Sequence, residues 1–203
     1  MAYQLCSIVL AGGRSQRFGG NKLFATHPVF DDQTLLSFTV DQHQQLNGND
    51  VWMIGGAYHD LLRPLATQLN VNYLHARQWQ LGQSESIKVG VSEIFRYHNY
   101  THGLIGLSDQ PFVSAGHLLR LKSASMSSPN NVIVSRDNTL LSAPAIFPSA
   151  YFPALMALTG DKGAGGLIRE LAQTHPQAIT TVDASGLLSD IDTKAQWVDI
   201  QKA

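Results

Sequence analysis

Four glycines, two arginines and a lysine fall between Gly12 and Lys22. They follow Ser7-Ile8-Val9-Leu10-Ala11, a short apolar run with β-branched residues that reads as a buried strand. Glycine lets backbone amides close on an anion and takes φ > 0 without penalty. The side chains of Arg14, Arg17 and Lys22 supply positive charge for phosphate. A strand that ends in such a loop, in a chain alternating strand and helix, is where nucleotide phosphates bind. The spacing is not G-x-x-x-x-G-K-[ST], because five residues separate Gly13 from Gly19 and Leu23 follows Lys22. Nor is it G-x-G-x-x-G. The plain alternative is a basic surface loop without a ligand.

Two acidic segments could complement that loop. Asp109 follows the apolar run Leu104–Leu107. A carboxylate at the carboxyl end of a buried strand is placed to hold a divalent cation, and Mg²⁺ takes few carboxylates beside phosphate oxygens and water. The alternative role is a cap for the next helix. Asp190 and Asp192 alternate along Ser189–Thr193, so an extended backbone puts both on one side. There the alternative is a solvated turn before a last helix. The eight histidines form no H-E-x-x-H or related spacing, and His75 and His102 read as surface or loop residues flanking strands. No G-x-S-x-G elbow supports a serine hydrolase.

The elements that must position these residues alternate along the chain. Strands are expected at 51–54, 71–74, 103–107, 132–134, 143–147 and 178–182, besides the first. Asp31-Asp32 offer a helix start before Leu35, Leu36, Phe38, Val40 and Leu46. Further helices are expected over 58–69, with Pro64 a possible kink, and over 82–97, with Ile87, Val91, Ile94 and Phe95 facing inward. Others follow at 114–123, capped by Ser114, and at 151–158 and 163–173. The reading is a single α/β domain over 1–203: three layers, with a mostly parallel Rossmann-like sheet covered by helices on both faces.

The 203 residues can bury a substantial core, and a net charge of −1 gives no sign of a nucleic-acid coat or a disordered tail. No apolar run is long enough to span a bilayer, and the N-terminus lacks a signal core. The one cysteine, Cys6, excludes an internal disulfide and reads as a small core residue. A cytoplasmic protein is expected, with no membrane and no nucleic-acid partner.

Leu10-Ala-Gly-Gly-Arg-Ser-Gln-Arg-Phe-Gly-Gly-Asn-Lys22 resembles the nucleotidyltransferase signature L-A-[AG]-G-x-x-x-R-[MF]-G-x-x-K. The resemblance is to the branch of molybdenum cofactor cytidylyltransferases and guanylyltransferases, whose fold is of the nucleotide-diphospho-sugar transferase type. It implies nucleotide contacts at Leu10, Ala11, Gly12, Gly13 and Arg14, and catalytic charge from Arg17 and Lys22. Leu107-Ser-Asp-Gln-Pro111 resembles the family's L-x-D-Q-P segment, which makes Asp109 a metal ligand. Ser189–Thr193 resembles its D-x-D-T segment, so that Asp190 or Asp192 completes a Mg²⁺ site, although Lys194-Ala195 replaces the usual Pro-Glu. Trp79–Ile87 resembles W-x-x-G-x-x-x-S-L and brings Gly82 and Ser86 to the nucleotide; the usual asparagine is Ala76 here.

Leu158–Ile168 resembles L-x-G-D-x-G-A-R-x-L-L, with Gly165 in place of arginine, and Ser142–Phe147 resembles G-x-P-x-L-F, with Ser142 in place of glycine. These segments imply acceptor contacts at Pro144, Gly160, Asp161 and Lys162. The implied reaction is attack of a molybdopterin-type phosphate on the α-phosphorus of an NTP, with loss of pyrophosphate. Two segments favour CTP and one favours GTP. A molybdoenzyme apoprotein is the implied partner. The alternatives are a sugar-phosphate or other small-phosphate nucleotidyltransferase, and a non-catalytic carrier of molybdenum cofactor.

Overall fold

The computed structural model describes residues 2–30, 33–97 and 99–201. Asp31 and Asp32, read as a helix start, lie outside the described residues. The strands are β1 Leu5–Ala11, β2 Val51–Gly55, β3 Asn72–His75, β4 His102–Leu107, β5 Val132–Asp137, β6 Leu140–Pro148 and β7 Ile179–Asp183. They form one sheet in the order β3-β2-β1-β4-β6-β5-β7. All pairings are parallel except those of β6, which runs antiparallel to both β4 and β5. The runs at 132–134 and 143–147, expected as separate strands, are the buried halves of one β5–β6 hairpin. It turns at Asn138, with φ 52°.

The helices are α1 Leu35–Asn47, α2 His59–Gln68, α3 Gln83–Tyr97, α4 Ala115–Ser127, α5 Phe152–Met156, α6 Ala164–Thr174 and α7 Lys194–Gln201. Period-two alternation sorts the central strand between two layers. Cys6, Ile8 and Leu10 of β1 pack with Ile87, Val91 and Ile94 of α3 and with residues of α5 and α6. Val9 and Ala11 face the other way, onto Leu36 and Val40 of α1 and Leu62 of α2. Leu118 and Leu121 of α4 cover Leu5 and Leu104 on a neighbouring patch. β1 is buried along its whole length, as a central parallel strand covered on both faces must be.

Three side chains differ from expectation. Phe95 is half exposed, since the α3 stripe is completed by Ile94 and Phe95 only meets Phe152 edge-on. His102 is buried at the start of β4, its Nε2 bonded to the Pro129 carbonyl at 2.9 Å. Thr34 is the α1 cap, accepting from the Ser37 amide.

Register brings the chemistry-bearing loops together. Leu10 faces Leu107 across the β1–β4 ladder, so the segments after them leave the sheet side by side. No helix among the described residues is long and apolar enough to cross a membrane.

Candidate active site

A cleft of about 770 Å³ opens beyond the carboxyl ends of β1 and β4. Its floor and one wall are the loop after β1, where Ser15 and Gly19 take positive φ and two short turns carry Arg17 and Lys22. The turn holding Lys22 is capped by Asn21, whose side chain accepts from the Leu23 amide at 3.2 Å. That cap directs Lys22 inward, and the residue is only 8% exposed.

The Lys22 ammonium has three partners. It lies 2.7 Å from Asp109 Oδ2, donates to the Ile191 carbonyl at 2.7 Å, and stands 3.5 Å from Asp192 Oδ1. Arg17 pairs with the other Asp192 oxygen at 3.0 Å, but in the open. An exposed pair of this kind contributes little to stability; its use is to keep a guanidinium at the cleft mouth.

The residues Ser108 to Pro111 are each tied to a different part of the fold. Ser108 Oγ donates to the Leu10 carbonyl at 2.7 Å. The Asp109 carbonyl accepts from the Ile191 amide at 3.1 Å. Gln110 Nε2 donates to the Ala143 carbonyl at 3.2 Å, and the Pro111 carbonyl meets His27 Nε2 at 2.9 Å. The backbone is thereby fixed, and the Asp109 carboxylate is left to face the cleft.

Asp190 and Asp192 arrive on the segment after β7. Between them Ile191 is fully buried with Phe18, Leu35 and Trp197, and the Phe18 and Trp197 rings meet edge-on at 5.6 Å. This small core pins the acidic segment against the glycine loop. Asp190 opens to the cleft, yet the surrounding walls exclude enough water to push its pKa up to about 6. The nearby Asp109 charge adds to that shift.

Among the described residues, no three His, Cys, Asp or Glu side chains are grouped to hold a metal by themselves. Asp109, Asp190 and Asp192 nevertheless line one cleft. Such a donor set suits a hard divalent cation that brings phosphate oxygens and water with it.

The facing wall is the N-terminal end of α3. Gly82, at φ +115°, lies so close to the Gly160 carbonyl that a side chain there would overlap it, and the Ser84 amide donates to that carbonyl at 3.2 Å. Gly12 approaches Ser86 so nearly that a methyl group on Gly12 would fall 2.5 Å from Ser86 Oγ. The Arg14 guanidinium lies 5.2 Å over the Trp79 ring, a cation–π contact, while Tyr58 holds the Arg14 carbonyl.

Of the residues singled out in the sequence, Leu10, Gly12, Gly13, Arg14, Arg17, Lys22, Gly82, Ser86, Asp109, Asp161, Asp190 and Asp192 line this cleft. Ala11 is buried at the end of β1. Gly160 forms the support under Gly82, and Lys162 is exposed on the loop before α6. Pro144 is buried in β6, after a cis peptide bond from Ala143, and its carbonyl accepts from Ser135. These four are not part of the cleft lining. Trp79 was visible in its motif without a role. Gln110 was likewise visible in its motif without a role, and His27 gave no signal, because its partner Pro111 is distant in sequence.

The model of the MobA-like NTP transferase domain matches residues 7–176. Among curated relatives, the purine catabolism protein PucB of Bacillus subtilis is 28% identical over 214 residues, covering 98% of this chain and 97% of PucB. The crystal structure of Rv0371c from Mycobacterium tuberculosis superposes with a TM-score of 0.79 at 23% identity, covering 100% of both chains. A further structure of Rv0371c is a manganese complex, with a TM-score of 0.76, 20% identity, and coverage of 98% of this chain and 99% of that one. Molybdopterin-guanine dinucleotide biosynthesis protein A from Archaeoglobus fulgidus superposes with a TM-score of 0.70 at 11% identity, covering 97% and 96%.

Proposed function

Because the chain belongs to the MobA-like NTP transferase family, we infer that it transfers the nucleoside monophosphate of CTP or GTP to a phosphate on a molybdopterin-type acceptor, releasing pyrophosphate. The observation that carries this reading is the convergence of the glycine loop, the buried Lys22 ammonium and the Asp109 carboxylate on one cleft. The glycine-loop amides, Arg14 and the α3 end would surround the donor. Arg17 and Lys22 would neutralise the charge that grows on the departing pyrophosphate. An acceptor phosphate is already an anion, so no strong general base is needed; the work is alignment and charge compensation.

Asp109, with Asp190 or Asp192, would hold a divalent cation, Mg²⁺ in the first instance. When bound, it would supply charge compensation at the transferring phosphorus. The manganese complex of Rv0371c supports a divalent cation in this fold. Asp161, on the loop beyond Gly160, would face the acceptor. The whole would act as one domain in the cytoplasm.

Thermal unfolding with CTP, GTP, ATP and UTP, with and without Mg²⁺, tests the donor. At about a hundredfold over Kd a ligand stabilises by roughly 2.7 kcal/mol, several degrees for a chain of this size. A Mg²⁺-dependent shift with CTP or GTP is expected, followed by pyrophosphate release when acceptor is added. No shift with any nucleotide would favour a cofactor carrier, which needs neither Lys22 nor Asp109. A sugar-phosphate acceptor would be exposed by turnover without molybdopterin.

A further inference from the structure

His27 occupies a position that no nucleotide contact explains. It is fully buried in the loop between the Lys22 turn and α1. Its Nδ1 faces two backbone donors, the amides of Val29 at 3.1 Å and Phe30 at 3.2 Å. Two N–H groups aimed at one nitrogen require that nitrogen to be unprotonated. The proton therefore sits on Nε2, which donates to the Pro111 carbonyl at 2.9 Å. Phe38 of α1 and Phe30 pack on the ring, with centroids 4.3 and 5.0 Å away. The His27 backbone also donates to the Gln33 carbonyl at 2.6 Å, closing the loop on itself.

One imidazole thus joins two segments, and each carries one member of the central ion pair. Lys22 lies five residues before His27, and Asp109 two residues before Pro111. The Ser108 hydroxyl is tied to β1, the Asp109 carbonyl to Ile191 and Gln110 Nε2 to β6. The His27 bond instead runs from this loop to the segment that follows Lys22.

We propose that His27 is a positioning residue: by clasping the Pro111 carbonyl to the loop after Lys22, it sets the distance between the Lys22 ammonium and the Asp109 carboxylate. The proposal rests on the reading of those two residues as site groups only for its functional consequence, not for its geometry.

The two halves of the imidazole can be separated. His27→Gln keeps a donor that reaches toward Pro111 but loses the acceptor for the two amides. His27→Asn keeps that acceptor but is too short for Pro111. His27→Leu loses both. A double-mutant cycle on chemical unfolding, pairing His27→Asn with Asp109→Asn, reads the geometry without any ligand. The Asp109→Asn change is expected to alter the unfolding equilibrium at least about fivefold less in the His27→Asn background than in the wild type. Effects that multiply independently to within about twofold would overturn the proposal.

Titration of Mn²⁺ with CTP, and with GTP, reads the consequence. His27→Asn and His27→Leu should weaken binding by about tenfold, while His27→Gln stays within about threefold of wild type. Wild-type binding by His27→Asn, or equal losses in all three variants, would also overturn it. Should the wild type bind neither pair, the nucleotide reading fails, and the unfolding cycle alone decides for or against the clasp.

Discussion

The Lys22 ammonium and the Asp109 carboxylate meet at 2.7 Å although 87 residues separate them in the chain. With Asp192 at 3.5 Å on its other side, Lys22 stands where a cation must stand if these carboxylates are to share one cleft. A divalent ion entering alone has to compete with that ammonium. A metal–triphosphate complex does not, because it offers the ammonium phosphate oxygens in exchange.

Lys22→Met should therefore change two affinities in opposite directions. Mn²⁺ binding to the nucleotide-free protein, followed by paramagnetic resonance, should tighten by about tenfold or more as a neighbouring positive charge is removed. Binding of CTP or GTP with metal should weaken. The variant should also lose roughly 1–3 kcal/mol of stability in metal-free buffer, since the Ile191 carbonyl and the part-buried Asp109 carboxylate lose their donor, and Mn²⁺ should restore part of it.

Asp109→Asn is expected to lower kcat/KM by about a hundredfold or more with the fold retained. Its main chain still accepts from Ile191, and the neighbouring ties from Ser108, Gln110 and Pro111 do not involve the carboxylate. Turnover and thermal unfolding, measured on the same preparation, check both halves.

The two close glycine contacts should respond differently to alanine. At Gly12 the obstacle is the Ser86 hydroxyl; the next atom, Ser86 Cβ, is at a comfortable 3.7 Å. Gly12→Ala should cost about 1–2 kcal/mol and be rescued by Ser86→Ala. At Gly82 the obstacle is the Gly160 backbone and φ is +115°, so Gly82→Ala should cost about 3 kcal/mol or more with no single-residue rescue. Denaturant unfolding of the four variants distinguishes the cases.

Acid should destabilise the protein through two buried histidines. Burial pushes His43 and His117 each down to about 4. The unfolded chain takes up protons near pH 6.5, so stability is complete above that value and is lost progressively as pH falls toward 4. His43 alone accounts for roughly 3 kcal/mol of that fall. His43→Leu should flatten the acid limb. It should also stabilise at neutral pH, because it removes a buried Nδ1 that has no partner among the described residues.

What was legible in the sequence was local. The apolar β-branched runs marked the strands, and the glycine loop marked the end of β1 that carries the cleft. Strand direction was not legible: the run at 143–147 has the same pattern whichever way it points, and β6 proves antiparallel. The helix at 151–158 shrank to Phe152–Met156, a single short helix preceded by a 3-10 turn. Asp109, Asp190 and Asp192 were visible as carboxylates at the right ends of elements. Their gathering around Lys22 depends on the Phe18–Trp197 core and on contacts spanning up to 170 residues, which no local spacing encodes. His27 was invisible for the same reason, since its partner Pro111 is 84 positions away.

The bond from Lys22 to the Ile191 carbonyl spans 169 residues, and that span has a consequence during synthesis. At roughly 5–20 residues per second, about ten to thirty seconds pass between translation of Lys22 and translation of the acidic segment that seats it. For about the first half of that interval Asp109 has not been made either; after it, Lys22 and Asp109 can pair, but Ile191 and Asp192 are still missing. The nascent chain therefore passes through a stage with an open anion cradle that lacks its last acidic segment, so the site is completed only near the end of synthesis.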